Sequence, residues 1–184
     1  MRWMTLYARS RRLPASLAAL VLCPVVIRVL AGADWSVVFA SLALGASIAV
    51  AATGLSGQDV DLDRTAAFGW FPRRLVHLVV LGALAVGVLL AVQASAIPAA
   101  VILRDGLGLV GLAGLAAFAF GGQFGWTFPL LWIVVALFAP HDPQGLYEVV
   151  AWPLQPADVA VSWWLAGTLF LLGTGVYAVA GARR

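Results

Sequence analysis

From Pro14 to Gly181 the chain consists of apolar runs so long that the choice of backbone is almost forced. Inside a bilayer every peptide group must be satisfied internally, which leaves helices or closed barrels. Barrel strands alternate apolar and polar residues. Here the runs are unbroken, so the expected fold is an all-α integral membrane protein. Six runs come near the roughly 20 residues that a membrane-crossing helix needs. They are Pro14–Ala31, Trp35–Gly54, Leu75–Ala94, Pro98–Phe120, Trp126–Pro140 and Val159–Gly181. The fifth is short and holds Pro129, so a tilt or break is expected there. Only 10% of the 184 residues are charged, against about 25% in soluble domains. Residues 1–184 are read as a single six-helix domain.

The few charges are arranged with one sign per side. Arg2, Arg9, Arg11 and Arg12 precede the first run, Arg64, Arg73 and Arg74 fall between the second and third, and Arg183–Arg184 end the chain. With six spans these nine of the eleven arginines share one face. Asp34, Asp142, Glu148 and Asp158 share the other. The positive-inside rule then puts both termini in the cytoplasm and the acidic connections outside. The formal charge of +3 is accounted for by helix orientation and anionic headgroups, and no nucleic-acid partner is expected. Arg11–Arg12 and Ala31-Gly32-Ala33 imitate a secretory signal, but Arg28 interrupts the run, so the segment is expected to stay as a span. The lone cysteine, Cys23, allows no internal disulfide and is read as a packing residue.

Two connections are more than turns. The cytoplasmic one holds the polar island Asp59–Arg74. Asp61 or Asp63 is a suitable N-cap for a short helix reaching about Trp70, with acids at its positive end. Ala66, Ala67 and Trp70 would share one side, with Phe71 nearby, while Asp63 and Arg64 face water or a partner. Pro72 is expected to end this amphipathic helix. A solvated loop that only orients the chain is the alternative. The external connection, Pro140–Asp158, contains the stretch Leu146–Leu154, too apolar for a free loop and too short to span. It reads as a re-entrant or interfacial piece with Tyr147 and Trp152 at headgroup level, where Trp163 and Trp164 also belong.

Little in the sequence promises chemistry. The absence of lysine removes the phosphate-binding loop. His77 and His141 fall at opposite faces, too far apart to share a metal. Asp59, Asp61 and Asp63 start like a calcium loop but lack its glycine and distal glutamate. No catalytic residue, metal site or cofactor is therefore expected. Three charged residues lie within apolar runs: Arg28, Arg104 and Asp105. Such charges are normally paired or turned to a cavity. Neighbours on a helix point about 100° apart, so Arg104 and Asp105 are expected to find partners on other helices, for example Arg28 with Asp105 or Asp34. Gly106, Gly108, Gly111 and Gly114 mark the fourth run as a site of close helix packing.

Taken together, the island, the external segment and the lead-in Tyr7-Ala-Arg-Ser-Arg-Arg12 resemble the layout of type-2 ATP-binding-cassette exporter permeases, in a small actinobacterial form. The resemblance covers the whole chain and rests on layout, not on a specific motif. It implies a multi-pass subunit of the bacterial cytoplasmic membrane, paired with itself or a second membrane subunit. It also implies a separate ATPase that holds ATP and magnesium. Asp59, Asp61, Asp63, Arg64, Trp70 and Phe71 would then form the coupling helix that the ATPase engages. A structural subunit of a larger membrane complex and a lipid-modifying membrane enzyme are the rival expectations.

Overall fold

The computed structural model describes residues 13–53, 70–93, 96–140 and 145–182. Their regular structure is all helical, with no strand among the described residues: α1 (Leu13–Ala31), α2 (Val37–Ala52), α3 (Trp70–Val92), α4 (Ala99–Phe120), α5 (Thr127–Leu137), α6 (Leu146–Val150) and α7 (Ala160–Ala180). Short 3-10 turns cover Gly32–Asp34, Gly122–Phe124 and Trp152–Leu154. Four helices, Ser16–Asp34, Phe71–Val92, Ala99–Phe120 and Ala160–Ala180, are long and apolar enough to cross a membrane. The second and fifth expected spans are shorter. α2 has 16 residues and α5 has 11, or about 24 Å and 16 Å of helix.

The exposed surface fits a chain surrounded by lipid. Leu30, Phe138, Trp164, Val29, Val179 and Leu171 are all more than 70% exposed, on α1, α7 and the end of α5. In water such a belt would far exceed the few hundred Å² that a soluble monomer leaves open. The centre is α4, 78% buried over its apolar window.

Side-chain contacts give each helix its direction. Ser41 on α2 meets Asp105 on α4, and Leu44 lies beside Gly106, so these two helices run the same way. Gly82 lies against Val110 and Gly106 against Val86, so α3 runs opposite to α4. Gly111 and Gly114 lie against Leu169 and Gly173, which makes α7 parallel to α4. Gly45 meets Ile133 and Gly125 meets Ala52, so α5 opposes α2. The start of α1 lies beside Ala51 and His77. Successive long helices therefore alternate in direction. The first residues of α1, α3 and α5 and the last of α2, α4 and α7 share one end of the bundle, here called proximal.

Local chemistry explains the boundaries. Trp70 opens α3, and Pro72 lies inside its first turn. This corrects the expectation that Pro72 ends a helix. A first-turn proline gives up an N–H that has no intrahelical partner anyway, and its fixed φ suits the helix. Pro129 likewise sits in the first turn of α5, so α5 is short but unbroken. α4 stops at Gly121, whose φ of 102° suits glycine alone and whose N–H bonds Ala117 O at 3.0 Å. α7 stops at Gly181, φ 79°, with the Arg74 guanidinium beside it. A cation there suits the negative end of a helix. Gln123 is exposed in the turn after α4, as a turn residue should be.

At the distal end, Gln93 closes the α3–α4 connection. Its Nε2 donates to Ile97 O at 2.9 Å, and the Ile97 N–H donates to its Oε1 at 3.0 Å. Gln93 and Ile97 are both buried. Gln93→Leu strands two backbone groups, so a loss of about 1–3 kcal/mol is expected. Thermal unfolding in detergent measures it, and a midpoint equal to the parent's would remove the clamp from the account of this turn.

Candidate functional site

The most concentrated polar chemistry among the described residues lies in the distal half of the bundle, around α4. Arg104 and Asp105 are 0% and 1% exposed. They bond each other: Arg104 Nη2 lies 2.8 Å and Nε 3.0 Å from Asp105 Oδ1. The long arginine side chain curls back and overcomes the angle between neighbouring positions. The expectation that each would find its charged partner on another helix is thus corrected. Nη1 donates to Pro156 O at 2.9 Å and Nη2 to Pro153 O at 3.2 Å. Ser41 of α2 contacts Asp105 Oδ2 at 2.8 Å and Pro153 O at 3.2 Å. Three chain segments are knotted at one point: α2, α4 and the Trp152–Pro156 strap, which is gripped on both sides of Gln155.

Arg28 takes no part in this knot. Its Nη1 donates to Gly32 O at 2.9 Å, and its guanidinium lies over the Trp35 ring, 5.2 Å from the centroid. It caps the last turn of its own helix and sits on an aromatic face. The proposed pairing of Arg28 with Asp105 or Asp34 is corrected: Asp105 is already neutralised by its neighbour, and Arg28 is spent on local acceptors.

The strap is held by packing as well. Trp152 is fully buried, and a Cβ on Gly108 would strike its ring. Gly108 is therefore the floor of an indole seat. The expectation that Trp152 anchors at a headgroup interface is overturned, because its ring is core. Trp163 and Trp164, near the start of α7, are 36% and 78% exposed. Trp163 Nε1 donates to Ala157 O at 2.8 Å, and Trp132 Nε1 ties α5 to Val150 O at 3.1 Å. Trp152 Nε1, Gln155 Nε2 and Ser162 Oγ are buried without a hydrogen-bond partner. Ser162 belongs to the same level: it precedes Leu169 by seven residues, as Arg104 precedes Gly111 on the parallel helix.

No signal in the sequence linked Ser41, Trp152 and Gln155 to Arg104. The proximal candidates fare differently. Asp59, Asp61, Asp63 and Arg64 lie outside the described residues. Trp70 opens α3, and Phe71, one residue on, is 49% exposed. A separate apolar cleft of about 160 Å³ opens between α1, α2 and α3, lined by Leu17, Leu20, Ala51, Val80, Leu81 and Leu84 with Ser16 and His77. Among the described residues no group of three or more His, Cys, Asp or Glu is placed to share a metal ion. Chemically, the Arg104 knot is an electrically neutral clamp that grips backbone carbonyls. Comparisons of the chain with protein-family models, curated proteins and solved structures return no match.

Proposed function

We propose that this chain is the membrane permease of an ATP-driven exporter in the bacterial cytoplasmic membrane. It would work with a separate ATP-binding subunit and a second membrane subunit, identical or different. The observation that carries the reading is the alternation of the helices. It gathers the first residue of α1, both residues flanking the 54–69 connection, and the end of α7 at the proximal end. Each arginine-rich segment of the sequence is joined there. With α2 and α5 counted as short spans, that end is cytoplasmic. Asp59–Phe71 is then the coupling segment through which a soluble motor biases two packings of the bundle. The Arg104–Asp105 pair is satisfied within the fold, as a structural pair would be. α6 and the strap form the segment that re-enters the distal side.

The test begins with the tagged chain purified from its native membrane. An ATPase of nucleotide-binding-domain size is expected to copurify. Asp63→Ala with Arg64→Ala, and separately Trp70→Ala, should insert normally, because Arg73, Arg74 and the other arginines still orient the chain. Both should weaken ATPase capture or uncouple hydrolysis from export. Full capture and export by both variants would reduce the segment to a solvated loop. Recovery of the chain only within a larger membrane complex, with no ATPase, would favour the structural-subunit reading.

A further inference from the structure

The attachments of the strap Trp152–Pro156 differ from those of the helices around it. It has one 3-10 turn of its own. What holds it is borrowed: the Arg104 and Ser41 side chains on its carbonyls, and Gly108 beneath Trp152. We propose that Trp152–Pro156 is a removable plug, seated on the Arg104–Asp105–Ser41 knot, whose withdrawal opens the distal half of the bundle between α2, α4 and α7.

Three features make the seat reversible. First, the ion pair is internal to α4. Lifting the plug breaks hydrogen bonds to carbonyls, which water can replace, and separates no charges. A salt bridge between plug and helix would have made the same motion far more costly. Second, two of the plug's own donors, Trp152 Nε1 and Gln155 Nε2, are buried without acceptors, as is Ser162 Oγ on α7. Each regains water when the plug lifts, so the seated state is held less firmly than its apolar burial alone implies. Third, the piece leads from Gly145, whose φ of 80° needs no side chain, through the single turn α6. Few backbone bonds must change for it to move.

What withdrawal exposes is polar and neutral overall: Ser41, Ser162 and the guanidinium edge of Arg104, above the glycines of α4. The plug's purpose, as the distal gate of a permease, rests on the function proposed above. Its existence does not, and the test needs no ATPase.

In a Cys23→Ala background, Ser162→Cys places a thiol at the level of the strap without removing any bond that holds it, and Thr174→Cys places one deeper on the same helix. These positions are 0% and 3% exposed in the parent chain. Modification by a small water-soluble methanethiosulfonate is followed in detergent. The thiol at the level of the plug is expected to react faster than the deep one even with Trp152 intact. Trp152→Ala should raise its rate by at least about tenfold, as local opening does, and leave the deep thiol unchanged. Trp152→Phe should give a smaller rise and covers the case in which the alanine variant does not fold. Equal protection of both thiols throughout would overturn the plug. So would a rise shared equally by both, which marks general loosening.

Discussion

Asp105→Asn is expected to be among the most damaging single substitutions in this chain. The amide keeps the carboxylate's size and can still accept a hydrogen bond, yet it leaves the Arg104 guanidinium with no counter-charge at 0% exposure. Breaking a buried pair from one side costs about 3–5 kcal/mol. Retained hydrogen bonds place this case near the lower figure. Arg104→Leu should cost at least as much, since it strands the Asp105 carboxylate and releases the carbonyls of Pro153 and Pro156 together. The informative variant is the double one. Arg104→Gln with Asp105→Asn removes both charges and keeps a donor near the carbonyls, so a substantial part of the loss should return. Folded yield and thermal midpoint in detergent measure all three, and strong non-additivity is expected for groups in direct contact. A single Asp105→Asn variant with the parent's yield and midpoint would show that the pair carries no structural load. Full stability with abolished export would move it to the transport path.

The contrast between Arg104 and Trp152 shows how much of this fold the sequence made legible. Helical class and the apolar runs could be read from composition and run length. The glycines of the fourth run also announced their close contacts. Which face of each helix turns inward could not be read. An amphipathic helix declares its buried side by periodic polarity, but a helix that is apolar all round has no such rhythm. α5, Thr-Phe-Pro-Leu-Leu-Trp-Ile-Val-Val-Ala-Leu, is of that kind. The burial of Trp152 was hidden for a different reason. A tryptophan beside prolines in a polar connection suggests an interface, and only the glycine at Gly108 creates its buried seat. Cβ directions alone do not give the partner of Asp105, because the Arg104 guanidinium ends several bonds from its backbone. A proline marks either end of a helix, and Pro72 marks a start because it falls in the first turn of α3. Asp59, Asp61, Asp63 and Arg64, for which a coupling role is proposed, lie outside the described residues.

The other large effect is expected where α4 and α7 cross. A Cβ at Gly173 would land on Gly111 O, and one at Gly111 on Leu169 O and C; one at Gly114 would stand 2.6 Å from Gly173 O. The obstructing atoms are backbone on both sides, so no flexible side chain can swing away and the helices themselves must separate. Overpacking usually costs about 1–3 kcal/mol, occasionally more. The cost here should reach or exceed the upper figure, because moving α7 also disturbs the wall that carries Ser162 and faces the strap. Gly111→Ala and Gly173→Ala are each expected to lower the thermal midpoint sharply. Together they should cost less than the sum, since either one already opens the same gap. Gly167 and Gly175 lie on the same helix with nothing within 4 Å of an added Cβ. Alanine there should be neutral or stabilising by up to about 1 kcal/mol, the gain expected when a helix loses a glycine. The comparison separates packing from propensity, because all four substitutions improve helix propensity and only two obstruct a neighbour. A Gly173→Ala variant that unfolds at the same temperature as Gly167→Ala would mean that α4 and α7 do not touch along this seam. The parallel arrangement of the two helices, and with it the common end of the bundle, would then have to be redrawn.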